Sequence, residues 1–192
     1  MRFAMSPDLT SPWKEFLEEL DSFLSEPVEF HCIGGFAAVA AYGLPRSTND
    51  LDYITLVPGN YQAELEELAG QGSPLAKKYK VFMHRVGVAT VPADYAERMA
   101  ELFPGRFKNI RLFVLDPYDL VLSKLSRNVE RDREDVAFLA KTLNLDAAIL
   151  KNRYEQEMKD ALIGPPERHD NTLKFWIEAY FTKTEMHSTK EA

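Results

Sequence analysis

The chain has 192 residues, of which 45% are hydrophobic and 28% charged, a composition typical of one globular domain with enough apolar material for a core. Its formal net charge of −7 argues against an extended non-specific nucleic-acid surface, because such surfaces collect Lys and Arg on one face. A single cysteine, Cys32, excludes an internal disulfide and fits a reducing compartment. No apolar run reaches the ~18 residues of a membrane span, and residues 1–10 lack the apolar stretch of a secretion signal, so we expect a cytoplasmic protein with no membrane partner.

The first 115 residues alternate between helical and strand periodicity. In chain order, the predicted elements are a helix at about 13–25, a strand at 28–33, a helix at 36–42, a strand at 51–57, a helix at 61–70, a strand or hairpin at 80–91, a helix at 96–103 and a strand at 109–115. Ser11 is predicted to cap the first helix, with Pro12 as its first residue. Gly34 and Gly35 are predicted to turn the chain after the first strand, and Gly43 to end the helix that follows.

From Asp116 onward the periodicity is helical. Asp116 is the predicted cap of the first of these helices, with Pro117 as its first residue and Asp119 as its third. Further helices are predicted at 129–143, 145–162 and about 172–181. We therefore expect an α+β fold, with a mixed sheet and flanking helices in residues 1–115 and a helical region in residues 116–192 that packs on this core.

Two acids, Asp50 and Asp52, stand at the start of the second predicted strand with Leu51 between them. Side chains two residues apart on a strand point to the same face about 6.6 Å apart, so the two carboxylates project together. Such a pair suits Mg²⁺, which takes one or two carboxylates together with substrate phosphates. The alternative is a strand entrance, in which Asn49 and Asp50 cap a turn and Asp52 is simply exposed.

The glycines Gly34 and Gly35, between a buried strand and a helix of small residues, favour the first interpretation. Glycine lets a phosphate approach backbone N–H groups, and a helix N-terminus favours negative charge. The stretch is not a Walker loop, because no Gly-Lys-Ser/Thr follows, and it lacks the Gly-x-Gly-x-x-Gly of a dinucleotide site. We therefore expect a phosphate cradle beside a Mg²⁺ site.

Residues 30–53, with Arg46 and Thr48 ahead of the acids in the order R-x-T-x-D-L-D, resemble the signature of the nucleotidyltransferase superfamily with the DNA-polymerase-β-like fold. More narrowly, they resemble bacterial AbiEii-like and related stand-alone nucleotidyltransferases, several of which are toxins of toxin–antitoxin or phage-defence systems. The resemblance implies a nucleotidyltransferase-like mixed sheet and a nucleoside triphosphate bound by the glycine turn, Arg46 and Thr48. It also implies that Asp50 and Asp52 are catalytic and bind Mg²⁺.

A second segment supports the narrower resemblance. Lys124, Arg131, Asp132 and Asp135 occur in the order K…RD..D that these proteins show on their C-terminal helices, which implies a catalytic Lys124 and nucleotide binding by the other three. Asp132 and Asp135 also extend the apolar helix face of Val136, where charges should be paired or should face a cleft. The alternative is that the acids favour the helix dipole and Lys124 extends its amine to solvent.

One departure from the resembled family concerns a third carboxylate, which a later strand usually supplies. Residues 80–91 contain no acid, and His84, Arg85 or Thr90 stands where one is expected. We therefore keep two functions open. One is a Mg²⁺-dependent transfer of a nucleoside monophosphate from a nucleoside triphosphate to a hydroxyl of a tRNA, protein or small molecule. The resemblance implies that such an enzyme could be the toxin of a toxin–antitoxin or phage-defence system, with an antitoxin protein as its partner. The other is a catalytically impaired nucleotide-binding or partner-binding protein of the same fold, and a structural α+β domain is the remaining alternative.

Overall fold

A computed structural model describes residues 9–181. Two predictions therefore fall partly outside the described residues: the one that residues 1–10 contain no secretion signal, and the one that the helical region extends to residue 192. The strands are β1 (Val28–Ile33), β2 (Asp50–Val57), β3 (Phe82–Arg85), β4 (Ala100–Leu102) and β5 (Ile110–Val114). The helices are α1 (Trp13–Phe23), α2 (Gly34–Tyr42), α3 (Gln62–Ala69), α4 (Pro74–Tyr79), α5 (Tyr95–Arg98), α6 (Pro117–Leu122), α7 (Glu130–Thr142), α8 (Ala147–Arg153) and α9 (Pro166–Tyr180). Within residues 9–181, no helix combines the length and apolar character needed to cross a membrane.

The strands form one mixed sheet of five, in the order β3-β2-β1-β5-β4. β1 runs antiparallel to β2 and parallel to β5. β2 runs parallel to β3, and β4 runs antiparallel to β5. In the described part of the chain every element after β5 is helical, so the predicted α+β fold with a mixed sheet and a helical C-terminal part is confirmed.

The core lies between the sheet and the helices on it. Its fully buried side chains come from all regions of the sequence, including Phe16 and Leu20 of α1, Phe30 of β1, Leu139 of α7 and Trp176 of α9. α2 contacts β1, β2, α6 and α7, so the helix that follows the glycine turn packs between the sheet and the C-terminal helices. Its small residues permit this close approach, since Ala37, Ala38 and Ala41 are completely buried.

Several sequence predictions about α5, β3 and their neighbours are wrong. The helix predicted at 96–103 ends at Arg98, and residues 100–102 form β4 instead, because pairing with β5 gives this short segment a ladder of hydrogen bonds. The strand predicted at 80–91 is limited to Phe82–Arg85. The helix α4 was not predicted, although Ser73 caps it by accepting a hydrogen bond from the Ala76 N–H and Pro74 follows directly.

Helix boundaries also differ from the predictions. Ser11 does not cap α1, whose N-cap position is Pro12; the Ser11 hydroxyl donates to Glu15 instead. α9 begins at Pro166 rather than near residue 172. The single helix predicted at 145–162 is interrupted, because α8 continues as a π-helical turn (Tyr154–Met158) and a 3-10 turn (Lys159–Ala161). By contrast, Asp116 caps α6 as predicted, accepting hydrogen bonds from two backbone N–H groups.

A buried carboxylate, Asp119, joins α5, α6 and the end of α8. Its side chain is 0% exposed and accepts hydrogen bonds from Arg98 at 2.9 and 3.1 Å and from Arg153 at 2.8 Å. Burial raises the pKa of Asp119, while the hydrogen bonds from Arg98 and the charge of Arg153 oppose that rise. The two guanidinium groups thus compensate a carboxylate that would otherwise be costly to bury.

We expect Asp119→Ala to lower the free energy of unfolding by about 3–5 kcal/mol, because it leaves two partly buried guanidinium groups without their shared partner. Urea denaturation followed by circular dichroism measures the change. Asp94→Ala is the matched control, since Asp94 is exposed and caps α5 without a side-chain hydrogen bond. Equal stability of the two variants would contradict the structural role of Asp119.

Candidate functional site

The antiparallel register of β1 and β2 brings the glycine turn to the acid pair. Ile33, the last residue of β1, pairs with Asp52, and Gly34 follows Ile33 directly. Gly34 has a φ of 70°, and a Cβ built there would lie 2.5 Å from Oδ2 of Asp52. Only glycine therefore allows both the left-handed backbone and this contact. The turn and the second acid touch, as the sequence pattern led us to expect.

The two acids lie on the partly exposed face of β2. Asp50 and Asp52 are partly exposed, whereas Leu51 and Tyr53 are buried, which is the alternation of a strand with one covered face. The Thr48 hydroxyl donates a hydrogen bond of 2.6 Å to Oδ1 of Asp50. Thr48 therefore orients the first acid, while the second acid contacts the neighbouring strand.

Asp52 lies beside His84 of β3. The two residues are paired in the parallel ladder of β2 and β3, and Asp52 Oδ1 is 2.8 Å from His84 Nδ1. Burial raises the pKa of Asp52; the contact with His84 opposes the rise, and the negative charge of Asp50 adds to it. A carboxylate under these influences gains from a nearby cation.

Gly35 faces a cation rather than an acid. A Cβ at Gly35 would lie 2.9 Å from Nη2 of Arg46 and 3.1 Å from Oγ1 of Thr48. Arg46 in turn donates to both carboxylate oxygens of Asp135, at 3.0 and 2.8 Å. The guanidinium of Arg46 thus lies against the glycine turn on one side and against α7 on the other.

The charged residues of α7 and the segment before it pair with one another. Lys124 is only 4% exposed; its Nζ lies 2.8 Å from Asp135 and 3.7 Å from Asp132. Burial opposes ionisation of Asp135, but hydrogen bonds from Arg46 and the charge of Lys124 outweigh it and hold the pKa of Asp135 below its ordinary value. Asp132 also accepts two hydrogen bonds from Arg127. Asp132 and Asp135 were predicted to be paired or to face a cleft, and both are paired with cations.

A cleft of about 230 Å³ lies next to the first acid. It is lined by Ser47, Thr48, Asn49, Asp50, Phe82 and Arg131. Arg131 is exposed, and its guanidinium donates to the Ser47 carbonyl at 3.4 Å. The cleft thus collects three of the predicted site residues, and its size suits part of a ligand, since whole drug-sized ligands occupy about 300–1,000 Å³.

A larger groove, of about 440 Å³, lies between the π-helical turn and α9. Tyr154, Lys159 and Asp170 are among its lining residues, and none of the predicted site residues takes part. The smaller cleft is the better candidate, because Asp50, Thr48 and Arg131 all line it.

Sequence reasoning missed Arg127. Its side chain is 64% exposed, and its positive charge acts on Asp52 and Asp135 as well as on its hydrogen-bond partner Asp132. Arg127 lies in the turn between α6 and α7, where no periodicity marks a residue as functional. The one feature of the sequence that could have identified Arg127 is its position three residues after Lys124, within the segment that resembles the C-terminal helices of AbiEii-like proteins.

The residues present fit a divalent cation. No three or more His, Cys, Asp or Glu residues between 9 and 181 form a complete metal site. Asp50 and Asp52 nevertheless supply the one or two carboxylates that Mg²⁺ typically takes, with water and phosphate oxygens as the remaining ligands. Gly34, which has no side chain, leaves room for the Asp52 carboxylate that would be one of these ligands.

Comparison with known proteins finds one matching family model. The family model described as "Nucleotidyltransferase of unknown function (DUF6036)" matches residues 14–185, which includes the glycine turn, the acid pair and all of α6 and α7. Neither a curated protein nor a solved structure shows significant similarity to the chain.

We expect Gly34→Ala to destabilise the protein more than Gly43→Ala. Both glycines have a φ of 70°, so alanine at either position costs about 1–2 kcal/mol for a left-handed backbone. Only at Gly34 does the new Cβ meet Asp52, since nothing lies within 4 Å of a Cβ at Gly43. Urea denaturation of both variants measures the difference, and most of the excess should vanish when Asp52 is also alanine. Equal costs in the native background would disprove the contact.

Proposed function

The chain belongs to the family of nucleotidyltransferases of unknown function (DUF6036), and from this premise we propose that it transfers a nucleoside monophosphate from a nucleoside triphosphate to an acceptor hydroxyl in a Mg²⁺-dependent reaction. The observation that carries the proposal is the contact between Gly34 and Asp52, which joins a phosphate-binding type of turn to a metal-binding type of carboxylate. Neither feature alone would indicate this chemistry.

The N-terminus of α2 is suited to bind the triphosphate. The first N–H groups of a helix have no intrahelical partner, and Ile33 at the N-cap offers no side-chain hydrogen bond to them. Phosphate oxygens would accept from these groups and would be favoured by the positive end of the helix dipole. Gly34 and Gly35 bring no side chain of their own to this end of α2, so the polar groups of Asp52, Arg46 and Thr48 lie directly against it.

Asp50 and Asp52 would hold Mg²⁺, which when bound supplies Lewis-acid polarisation of phosphate oxygens and of the acceptor hydroxyl. Thr48 fixes the Asp50 carboxylate by its hydrogen bond, so the first acid meets the ion in a defined orientation. The acceptor hydroxyl would form a bond to the α-phosphorus as the bond to pyrophosphate breaks, and its proton would pass to solvent. The negative charge that develops would be stabilised by groups already in place.

The cations of the site have different roles in this proposal. Arg127 and Arg131 are exposed and contact the negatively charged substrate. Lys124 is buried with Asp132 and Asp135, so it positions Arg46 and Arg127 instead of contacting the nucleotide. In the same way, Asp132 and Asp135 act through the guanidinium groups that they bind.

The acceptor and partner are proposed from the resemblance to AbiEii-like proteins. A tRNA end, a protein hydroxyl and a small molecule are the acceptor classes, and an antitoxin protein is the implied partner of a toxin. A second candidate function is nucleotide binding without efficient transfer. It is favoured by one observation: the residue beside Asp52 on the neighbouring strand is His84 and not a third carboxylate.

We expect incubation with labelled nucleoside triphosphates, Mg²⁺ and a cell extract to label one macromolecule or small molecule. Asp50→Asn and Asp52→Asn should each reduce labelling by roughly a hundredfold or more, because a metal site supplies several kcal/mol of transition-state stabilisation. Asp94→Asn, which changes an exposed acid outside the site, should leave labelling unchanged. Saturable nucleotide binding without label transfer would favour the second candidate function, and no nucleotide affinity at millimolar Mg²⁺ would contradict both.

We expect Arg127→Gln and Lys124→Met to have separable effects. Arg127→Gln should raise KM for the triphosphate and should lower the free energy of unfolding less than Lys124→Met does, because its side chain is 64% exposed although it donates two hydrogen bonds to buried Asp132. Lys124→Met should lower the free energy of unfolding by about 3 kcal/mol, because it removes one partner of a buried ion pair. Steady-state kinetics and urea denaturation measure the two effects, with Arg168→Gln, an exposed arginine of α9, as the control. A stable Lys124→Met protein with a selective defect in kcat would show that Lys124 contacts the reacting groups.

A further inference from the structure

We propose that the cleft beside Asp50 binds the nucleobase of the nucleoside triphosphate, with the ring of Phe82 as the surface on which the base stacks and the amide of Asn49 at its edge. The inference rests on the proposed function, because the cleft lies next to the site of that reaction. It names the part of the substrate that the cleft takes, and it adds Asn49 and Phe82 to the residues of the site.

The parallel register of β2 and β3 brings Phe82 to the cleft. Phe82 is the cross-strand neighbour of Asp50, so the two side chains leave the sheet on the same, partly exposed face. The next residue, Met83, is buried in the core, whereas the ring of Phe82 is half-buried and does not pack against the core of the described residues. Within the described part of the chain, this ring also has no contact with another aromatic ring. One aromatic face at the cleft is therefore available to a ligand.

The polar side chains of the cleft have hydrogen-bonding capacity that the described residues do not use. The Asn49 side chain is exposed and forms no hydrogen bond with another described residue. Arg131 donates a single hydrogen bond, of 3.4 Å to the Ser47 carbonyl, and forms no ion pair elsewhere in the described chain. By contrast, Arg46 and Arg127 each bind a carboxylate of α7. A free amide and a free guanidinium beside an aromatic face are the groups with which proteins recognise an unstacked base.

The charge of the cleft favours a neutral ring over a phosphate group. Asp50 is one of its lining residues, and an ionised carboxylate repels an anion placed beside it. A phosphate would also gain nothing from the ring of Phe82, whereas a base of any identity stacks on such a ring. Arg131 suits either ligand, because a guanidinium stacks on rings and also pairs with phosphate oxygens. Asp50 and Phe82 are thus the residues that favour a base here.

The position of the cleft agrees with a nucleotide that extends along the start of β2. The glycine turn meets Asp52, whereas the cleft is lined by Asp50, whose side chain leaves the strand about 6.6 Å away. With the triphosphate on the turn, the nucleoside end can extend past Asp50 into the cleft. The volume of about 230 Å³ is below that of pockets for whole drug-sized ligands and suits one ring system.

The test measures equilibrium binding to the full chain by isothermal titration calorimetry at millimolar Mg²⁺. The ligands are the α,β-methylene analogues of the four nucleoside triphosphates, which cannot release pyrophosphate, and inorganic tripolyphosphate, which has no base. The native protein should bind at least one analogue roughly tenfold more tightly than tripolyphosphate, because base–aromatic stacking contributes about that factor.

Phe82→Leu should remove most of this difference and leave the affinity for tripolyphosphate unchanged, whereas Phe82→Tyr should retain the difference because it keeps the aromatic face. Asn49→Ala, at an exposed side chain, should lower the affinity for the preferred analogue by roughly threefold or more through the loss of hydrogen bonds. Phe23→Leu, which changes an exposed aromatic ring on α1, is the control and should leave all affinities unchanged.

The results that would overturn the inference differ from those that would overturn the proposed function. Equal affinity of the native protein for tripolyphosphate and every analogue would show that no base is bound. An unchanged affinity for the analogues in Phe82→Leu or Asn49→Ala, or an equal loss for analogues and tripolyphosphate, would exclude the base from this cleft and leave the triphosphate site intact. Failure of the native protein to bind any of these ligands would remove the proposed function itself. Thermal denaturation checks that each variant is folded.

Discussion

The approach of the Asp52 carboxylate to a backbone turn without side chains is the constraint on which this site depends. It follows from the antiparallel pairing of Ile33 with Asp52, which places the end of β1 opposite the start of β2. Any side chain at Gly34 would occupy the position of the carboxylate, and any shift of β2 by one residue would turn Asp52 toward the core. Strand register thus determines the geometry of the candidate site.

Ion pairs connect the glycine turn to the C-terminal helices. Arg46 lies between Gly35 and Asp135, and Asp135 also binds Lys124, so one carboxylate of α7 holds two cations from different parts of the sequence. Buried ion pairs contribute little net stability, because desolvation offsets most of their attraction. Their geometry is more informative than their energy: they fix the helical C-terminal part against the glycine turn, so residues after β5 are structural components of the site.

The sequence was most informative where local chemistry and tertiary context agree. The apolar run of β1, the glycine stop of α2 and the Asp-Pro start of α6 were predicted correctly, because burial, left-handed backbone and helix capping leave direct signals. The closeness of Asp52 to the turn was also expected. The three residues of β4 were not, since only pairing with β5 makes them a strand. Nor was the difference in exposure between Lys124 and Arg127, because packing depends on residues far apart in sequence. His84 was one of three residues considered for the place of a third carboxylate, and the parallel register of β2 and β3 puts it beside Asp52.

The pairing of β1 with β2 contains one irregularity with a wider consequence. His31 pairs with Thr55 but Cys32 pairs with Tyr53, so β2 has one extra residue, Ile54, at this point. The bulge divides β2 into two segments whose side chains alternate independently. The outer segment (residues 55–57) pairs with the start of β1, and the inner segment carries Asp50 and Asp52. A change of register in the outer part of β2 can therefore be taken up at Ile54 without turning the carboxylates of the inner part toward the core.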